Sequence, residues 1–254
     1  MIRLLEQSEI ERLEKAPAEE LLAWALDKFG DGLAISTAFQ AEGMVIVDMA
    51  ARILPGARVL TLDTGRLPEE TYSMIETVRE RYGIAVEIVA PEPAEVEAMV
   101  AMHGPNLFYR EAPLRMLCCE VRKVRPLMRK LAGFEAWVVG LRREQNESRA
   151  DVAKIEENAG RLKLSPLADW TGDQVQAYIR AHDVPVHPLY AAGYRSIGCA
   201  PCTRAVKPGE DERSGRWWWE LEADKECGIH FSPDGKAERK LDVLVNEILG
   251  ARRV

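Results

Sequence analysis

Up to about residue 143 the chain alternates between segments of helical and of strand periodicity. Residues 18–29 place apolar side chains three and four apart, the pattern of an amphipathic helix, and Gly30 closes it. The apolar run 32–36 reads as a short buried strand ending in small polar residues. Residues 42–54 read as a helix stopped by Pro55-Gly56, and a second buried strand, 58–62, stops at Asp63-Thr64-Gly65. Pro68 to Tyr82 is predicted helical, with proline in the first turn where its missing N–H is not needed, and Gly83 ends it. A third strand follows at 85–89, then a helix from Pro93 to Met102. Cys118 to Leu131 reads as a helix kinked at Pro126, whose ring collides with the carbonyl four residues back. A fourth strand, 136–140, runs into Leu141-Arg142-Arg143.

Beyond about residue 165 the pattern loses regularity. Thr171 to Ala181 reads as a helix with Thr171 as N-cap, Ser214 to Ala223 as another, and Leu241 to Leu249 as the last. No internal repeat or low-complexity segment is present.

Strand then helix, repeated with short connections, predicts an α/β fold: a mostly parallel sheet flanked by helices, with an irregular C-terminal tail. Such sheets bind ligands outside the carboxyl ends of their strands. Three polar clusters fall at such ends: Ser36-Thr37, Asp63-Thr64-Gly65 and Arg142-Arg143. One such cluster is usually only a turn; three together argue for a pocket.

Composition narrows the class. With 254 residues and 47 % apolar content, the chain can bury a sizeable core. We expect a single domain over 1–254, of which about 205–254 is a mobile, charged, glycine-containing segment. A net charge of −7 argues against nucleic-acid binding, which relies on a basic surface. No apolar run reaches transmembrane length, and Met1 to Glu6 lack the apolar core of a signal peptide, so no membrane association and a cytoplasmic location are expected.

Five cysteines change the picture most. Four fall in pairs, Cys118-Cys119 and Cys199-x-x-Cys202, roughly 80 residues apart, and Cys227 stands alone. Four thiolates complete one soft-metal site. In a reducing compartment paired cysteines are more often ligands or redox centres than disulfides. Adjacent helical residues point about 100° apart, which is awkward for one compact zinc ion and easier for a larger iron–sulfur cube. Spacing alone leaves a cluster level with the alternatives together: structural zinc, a vicinal disulfide or buried free thiols. Arg122, Lys123, Arg125, Arg129 and Lys130 follow the tandem pair, and Lys123 lies one turn beyond Cys119 on the same face.

At these residues the chain resembles the assimilatory adenylyl-sulfate (APS) reductases, a family shared with the 3′-phosphoadenylyl-sulfate (PAPS) reductases. The likeness rests on Cys118-Cys119 with Arg122-Lys123-Val124, on Cys199-Ala200-Pro201-Cys202 and on Lys225-Glu226-Cys227-Gly228-Ile229-His230. Leu62-Asp63-Thr64-Gly65 and Gly140-Leu141-Arg142-Arg143-x-Gln145 extend it, from about residue 20 to 231. The resemblance implies an adenine-nucleotide α-hydrolase-like fold. Its loop after the first strand, 36–42, departs from the glycine-rich loop of ATP pyrophosphatases. That makes ATP cleavage doubtful and leaves backbone cradling of sulfate or phosphate.

The resemblance further implies a [4Fe–4S] cluster on Cys118, Cys119, Cys199 and Cys202, and APS rather than PAPS as substrate. The expected reaction reduces APS to sulfite and AMP in sulfate assimilation and cysteine biosynthesis. Cys227 is the expected nucleophile, forming an S-sulfocysteine, with His230 and Lys123 assisting. Ser36, Thr37, Asp63, Thr64, Gly65, Arg142, Arg143, Arg213 and Arg216 are the expected substrate contacts, arginine being suited to planar anions. Trp217-Trp218-Trp219 would cover the ligand or pack the tail onto the core. Only about two helical turns of pattern follow residue 231, so thioredoxin is expected as a separate reductant. Homo-oligomerisation is compatible. A PAPS reductase is the alternative within the family, and a zinc-stapled nucleotide-binding sulfur-transfer protein is the alternative outside it.

Overall fold

The apolar runs become the strands of one six-stranded sheet in the computed structural model, which describes residues 5–146, 149–158, 160–220 and 244–250. The strands are β1 (Leu33–Ser36), β2 (Val59–Leu62), β3 (Glu87–Val89), β4 (Ala136–Val138), β5 (Ile155–Asn158) and β6 (Arg161–Leu164), in the order β3-β2-β1-β4-β6-β5. β1 pairs in parallel with β2 and β4, and β4 with β6, while β5 and β6 are antiparallel. β4 is buried at all three positions and β1 at its first three, as expected for parallel strands covered on both faces. The chain passes from β1 outward to β2 and β3, then returns to place β4 on the other side of β1. That reversal creates a switch point between the carboxyl ends of β1 and β4.

The chain forms two compact units. The first comprises Met1–Thr61, Glu69–Ile88 and Leu131–Ala191. Its helices are α1 (Gln7–Glu14), α2 (Ala18–Phe29), α3 (Ala41–Ile53), α4 (Glu69–Tyr82) and, far later in the chain, Gly172–His182. Leu21, Leu22, Ile35, Met44, Val47, Val59, Val78, Val138 and Leu164 are among its core residues. Thr171 caps the Gly172–His182 helix as expected: its Oγ1 accepts from Gln174 N–H at 3.2 Å, and Gln174 Oε1 accepts from Thr171 N–H at 2.7 Å.

The second unit comprises Leu62–Pro68, Val89–Lys130 and Ala192–Val254. It contains α5 (Pro93–His103), α6 (Ala112–Cys119), a π-helical stretch over Glu120–Val124 and most of α7 (Arg125–Leu131), so Gly172–His182 is α8. Its core gathers Met99, Phe108, Leu117, Cys118, Cys199, Cys202, Trp217 and Ile248, the last on a helical run over 244–250.

Three readings need correction. The helix read as Cys118–Leu131 begins six residues earlier, because the nearly continuous apolar stretch 114–119 hides any period. Its irregularity is the π stretch just before Pro126, a widened turn where a regular helix would drive the proline ring into the Arg122 carbonyl. Residues 214–220 form turns rather than a helix: Arg204 N–H donates to Gly215 O at 3.0 Å and Trp217 N–H to Cys202 O at 3.2 Å, so backbone pairing overrides the pattern. The β5–β6 hairpin went unread because Glu156, Glu157 and Asn158 make β5 a polar edge strand. No helix among the described residues is long and apolar enough to cross a membrane.

Candidate functional site

Each unit carries its own group of the residues singled out above. In the first, β1 ends at Ser36 and runs through Thr37 to the first turn of α3. Thr37 Oγ1 accepts from Phe39 N–H at 2.9 Å, and Phe39 is fully buried with φ of 55°, a left-handed backbone uncommon for an aromatic residue. A Cβ on Gly43 would collide with Thr37 Oγ1, and a Cβ on Gly140 would stand 3.0 Å from Gly43 N. Glycine at both positions therefore lets the end of β4 close on the N-terminus of α3. Arg142 fastens this junction: buried, it donates from Nε to Glu42 Oε1 at 2.8 Å and from Nη1 to Glu144 Oε2 at 3.1 Å. Gln145 Nε2 donates to the same Glu42 oxygen at 3.0 Å. Arg143 is directed elsewhere, with Nε donating to the Val152 carbonyl at 2.8 Å. Ser36, Thr37 and Arg142 thus share the switch point, where the first N–H groups and the positive dipole end of a 13-residue helix favour an anion.

In the second unit all four paired cysteines are buried, outside any disulfide, and line one cavity with Arg66, Phe108, Arg115, Arg122, Lys123 and Pro201. Cys118 and Cys119 close α6 immediately before the π stretch, which carries Lys123 along the same cavity wall. Cys199 and Cys202 flank a single 3-10 turn, with Cys202 N–H donating to Cys199 O at 2.9 Å. Thr203 Oγ1 binds both sides of that turn, accepting from Gly198 N–H at 3.1 Å and donating to Cys199 O at 3.0 Å. Thr64, at the end of the β2 loop, places Oγ1 3.3 Å from Cys199 Sγ. That oxygen also accepts from Arg66 N–H, and Asp63 Oδ1 accepts from Gly65 N–H at 2.7 Å, so Asp63 shapes the turn that presents Thr64. Arg122 donates from Nη1 to Thr64 O at 2.7 Å, tying that turn to the π stretch.

Electrostatics divide along the same lines. Burial pushes the Cys118 thiol up while Arg122, Lys123 and Arg66 pull it down. Burial, reinforced by Cys199, pushes Cys202 up to about 12, against Lys123 and Arg216. Bare thiolates at Cys118 and Cys202 are therefore disfavoured, and nearby cations would offset their charge once a soft ligand draws the protons off.

Four thiols line one cavity, the ligand type and number that a [4Fe–4S] cluster takes, although among the described residues no group of three His, Cys, Asp or Glu is placed to hold a metal ion. Four buried N–H groups, Arg122 Nε, Arg216 Nε, Trp217 Nε1 and Trp219 Nε1, find no acceptor among those residues. Arg122 lines the cavity, and both tryptophans pack into the apolar cluster that holds Cys118, Cys199 and Cys202. Such orphans are rare in native interiors and call for acceptors beyond the described residues.

Arg216 is buried and stacks 4.6 Å over the Trp217 ring, in the space that glycine leaves at 198. Arg213 lies in the preceding turn, its N–H donating to Asp211 Oδ1 at 2.8 Å. Trp217 is fully buried and Trp218 39 % exposed, so one packs the core while the other faces solvent. Cys227 and His230 lie outside the described residues. Sequence reading missed Arg66 and Arg115 as cavity residues, although Arg115, three residues before Cys118, has the spacing of a same-face neighbour.

Residues 32–205 match the phosphoadenosine phosphosulfate reductase domain family. The chain is 48 % identical over 224 residues to the adenosine 5′-phosphosulfate reductase of Allochromatium vinosum, covering 86 % of this chain and 87 % of that one. It is 42 % identical over 230 residues to 5′-adenylylsulfate reductase 3, chloroplastic, of Arabidopsis thaliana, covering 86 % of this chain and 50 % of that one. Among solved structures, the phosphate complex of the PAPS reductase from Candida auris superposes with a TM-score of 0.67 at 30 % identity, covering 80 % of this chain and 99 % of that one. Yeast FAD synthetase shares the fold alone, with a TM-score of 0.53 at 13 % identity over 80 % of this chain and 70 % of that one.

Proposed function

The chain belongs to the phosphoadenosine phosphosulfate reductase family, and from that membership we propose that it reduces adenylyl sulfate to sulfite and AMP in sulfate assimilation. The observation that carries this reading is one basic cavity lined by four buried cysteines, in a chain nearly half identical to a protein named as an APS reductase.

Cys118, Cys119, Cys199 and Cys202 would hold a [4Fe–4S] cluster, which supplies a fixed structural and electrostatic centre. In our reading the α3 N-terminus beside Thr37 favours an anionic group of APS, and Lys123, Arg213 and Arg216 are the expected cationic substrate contacts of the second unit. The Cys227 thiolate attacks the sulfate sulfur. A sulfur–sulfur bond forms, the bond to the AMP phosphate oxygen breaks, and AMP leaves with the electron pair. His230 lies close enough in sequence to assist that thiolate. A thioredoxin thiolate then attacks Cys227 Sγ and expels sulfite, and the second thioredoxin thiol resolves the mixed disulfide. Two electrons pass from the dithiol to sulfur, which balances the reduction. We place this chemistry in the cytoplasm.

Parallel assays with APS and PAPS, using anaerobically purified protein and thioredoxin, test the reading. A strong preference for APS and about four irons per chain are expected. Preference for PAPS, or stoichiometric zinc without iron, would overturn the substrate or the cofactor respectively.

A further inference from the structure

The turn that carries two of the four cavity cysteines is held at both residues of its spacer. Ala200 N–H donates to Arg66 O at 2.8 Å. Pro201 has no N–H to give, and its carbonyl accepts from Tyr109 Oη at 2.8 Å. The two partners are themselves joined. Arg66 Nη2 donates to Asn106 Oδ1 at 2.9 Å, its guanidinium stands 5.1 Å over the Phe108 ring, and Tyr109 N–H donates to Asn106 O at 3.2 Å. A closed ring therefore runs from Ala200 through Arg66, Asn106 and Tyr109 back to Pro201, and every member belongs to the second unit. Tyr109 is 42 % exposed, with its ring centroid 4.5 Å from that of Trp219. A neutral hydrogen bond on so exposed a residue adds little to global stability, so its value lies in what it holds.

What it holds is the geometry of Cys199 and Cys202, whose sulfurs are set by the peptide planes between them. The bonds of Thr203 lie within that turn, whereas the ring ties it to two distant segments of chain. We propose that Tyr109 and Asn106 are positioning residues for the cysteine site: with Arg66 they clamp the Cys199–Cys202 turn, so that a thiolate that lets go of bound iron stays within reach and rebinds. This rests on the reading of the four cysteines as cluster ligands. Rebinding from a fixed turn is an intramolecular step at high effective concentration, and a freed turn lowers that concentration.

Anaerobic holoprotein challenged with an iron chelator tests the proposal in Tyr109→Phe, Asn106→Leu and Asn106→Asp. Iron loss is followed by visible absorbance, and the thiols released at intervals are alkylated and mapped by mass spectrometry. Thermal unfolding is measured in the same preparations. We expect Tyr109→Phe and Asn106→Leu to lose iron about tenfold faster, the order of effect of removing a ligand's supporting partner, with an unfolding midpoint near the native one. The excess alkylation should fall on Cys199 and Cys202. Asn106→Asp keeps an acceptor for Arg66 and should stay near the native rate. Iron loss at the native rate in Tyr109→Phe would overturn the proposal, as would alkylation that rises equally at all four cysteines. Native protein that holds no iron would instead sink the cluster reading, and the clamp built on it.

Discussion

Thr64 Oγ1 lies 3.3 Å from Cys199 Sγ, with both residues buried and the hydroxyl oxygen already accepting from Arg66 N–H. Against a Cys199 thiolate, which carries no proton, the hydroxyl is the donor. A hydrogen bond to a charged partner contributes about 1.5–3 kcal/mol, and a thiolate ligand is such a partner. Thr64→Val should fold and load iron but lose it several-fold faster on exposure to air, followed by visible absorbance. Iron loss at the native rate would show that this hydroxyl does not support the ligand.

The strand-end junction in the first unit makes a separate prediction. Gly140→Ala introduces a Cβ 3.0 Å from Gly43 N, and backbone cannot swing aside as a side-chain tip can. The N-terminus of α3 must shift, at a cost of about 1–3 kcal/mol. Both thermal stability and the KM for APS should suffer, with iron content unchanged. A destabilised variant with native KM would remove the α3 N-terminus from the substrate site.

Asp48 is 1 % exposed on α3 and accepts from Tyr82 Oη at 3.1 Å, Tyr178 Oη at 2.9 Å and Arg52 Nε at 2.7 Å. Its carboxylate links α3 to α4 and α8. Asp48→Asn removes the charge from these bonds and should lower unfolding stability by about 1.5–3 kcal/mol in urea titration. It should leave iron loading intact, since the network belongs to the first unit and the cysteines to the second.

The same carboxylate sets an alkaline limit. Burial first, and Asp48 next, raise both Tyr82 and Tyr178 above the ordinary value of 10. The folded state therefore holds these protons where the unfolded chain has released them. Their contribution is fully present below pH 10 and is lost as pH rises above it. Ultraviolet titration should find two of the six tyrosines ionising later than the rest and together with alkaline unfolding. Six tyrosines titrating together near pH 10 in folded protein would contradict the network.

Much of this was legible in the sequence, for identifiable reasons. Strands β1, β2 and β4 are mostly apolar runs, broken only by Ser36 and Thr61, so their period and limits are easily read. The four cysteines were legible because their burial brings together what their spacing separates by roughly 80 residues. Arg142 illustrates what was not legible. A strand-end arginine reads as an anion ligand, and only the fold shows its guanidinium donating to Glu42 and Glu144. The π stretch was likewise hidden. Pro126 announces an irregular helix, but which turn widens depends on packing around Cys118, Val121 and Leu117. Arg115 carried a signal in its spacing to Cys118, yet its partner Glu220 lies 105 residues on, a distance no local pattern bridges.

The central claim is that Cys227 takes the sulfur of APS while the other four cysteines serve as ligands. Mass spectrometry of the anaerobic protein, after incubation with APS and no reductant, tests it most directly. The account predicts a sulfonate adduct on Cys227 alone, with AMP released in equal amount and iron retained. An adduct on any of Cys118, Cys119, Cys199 or Cys202, or AMP release with no adduct, would contradict it.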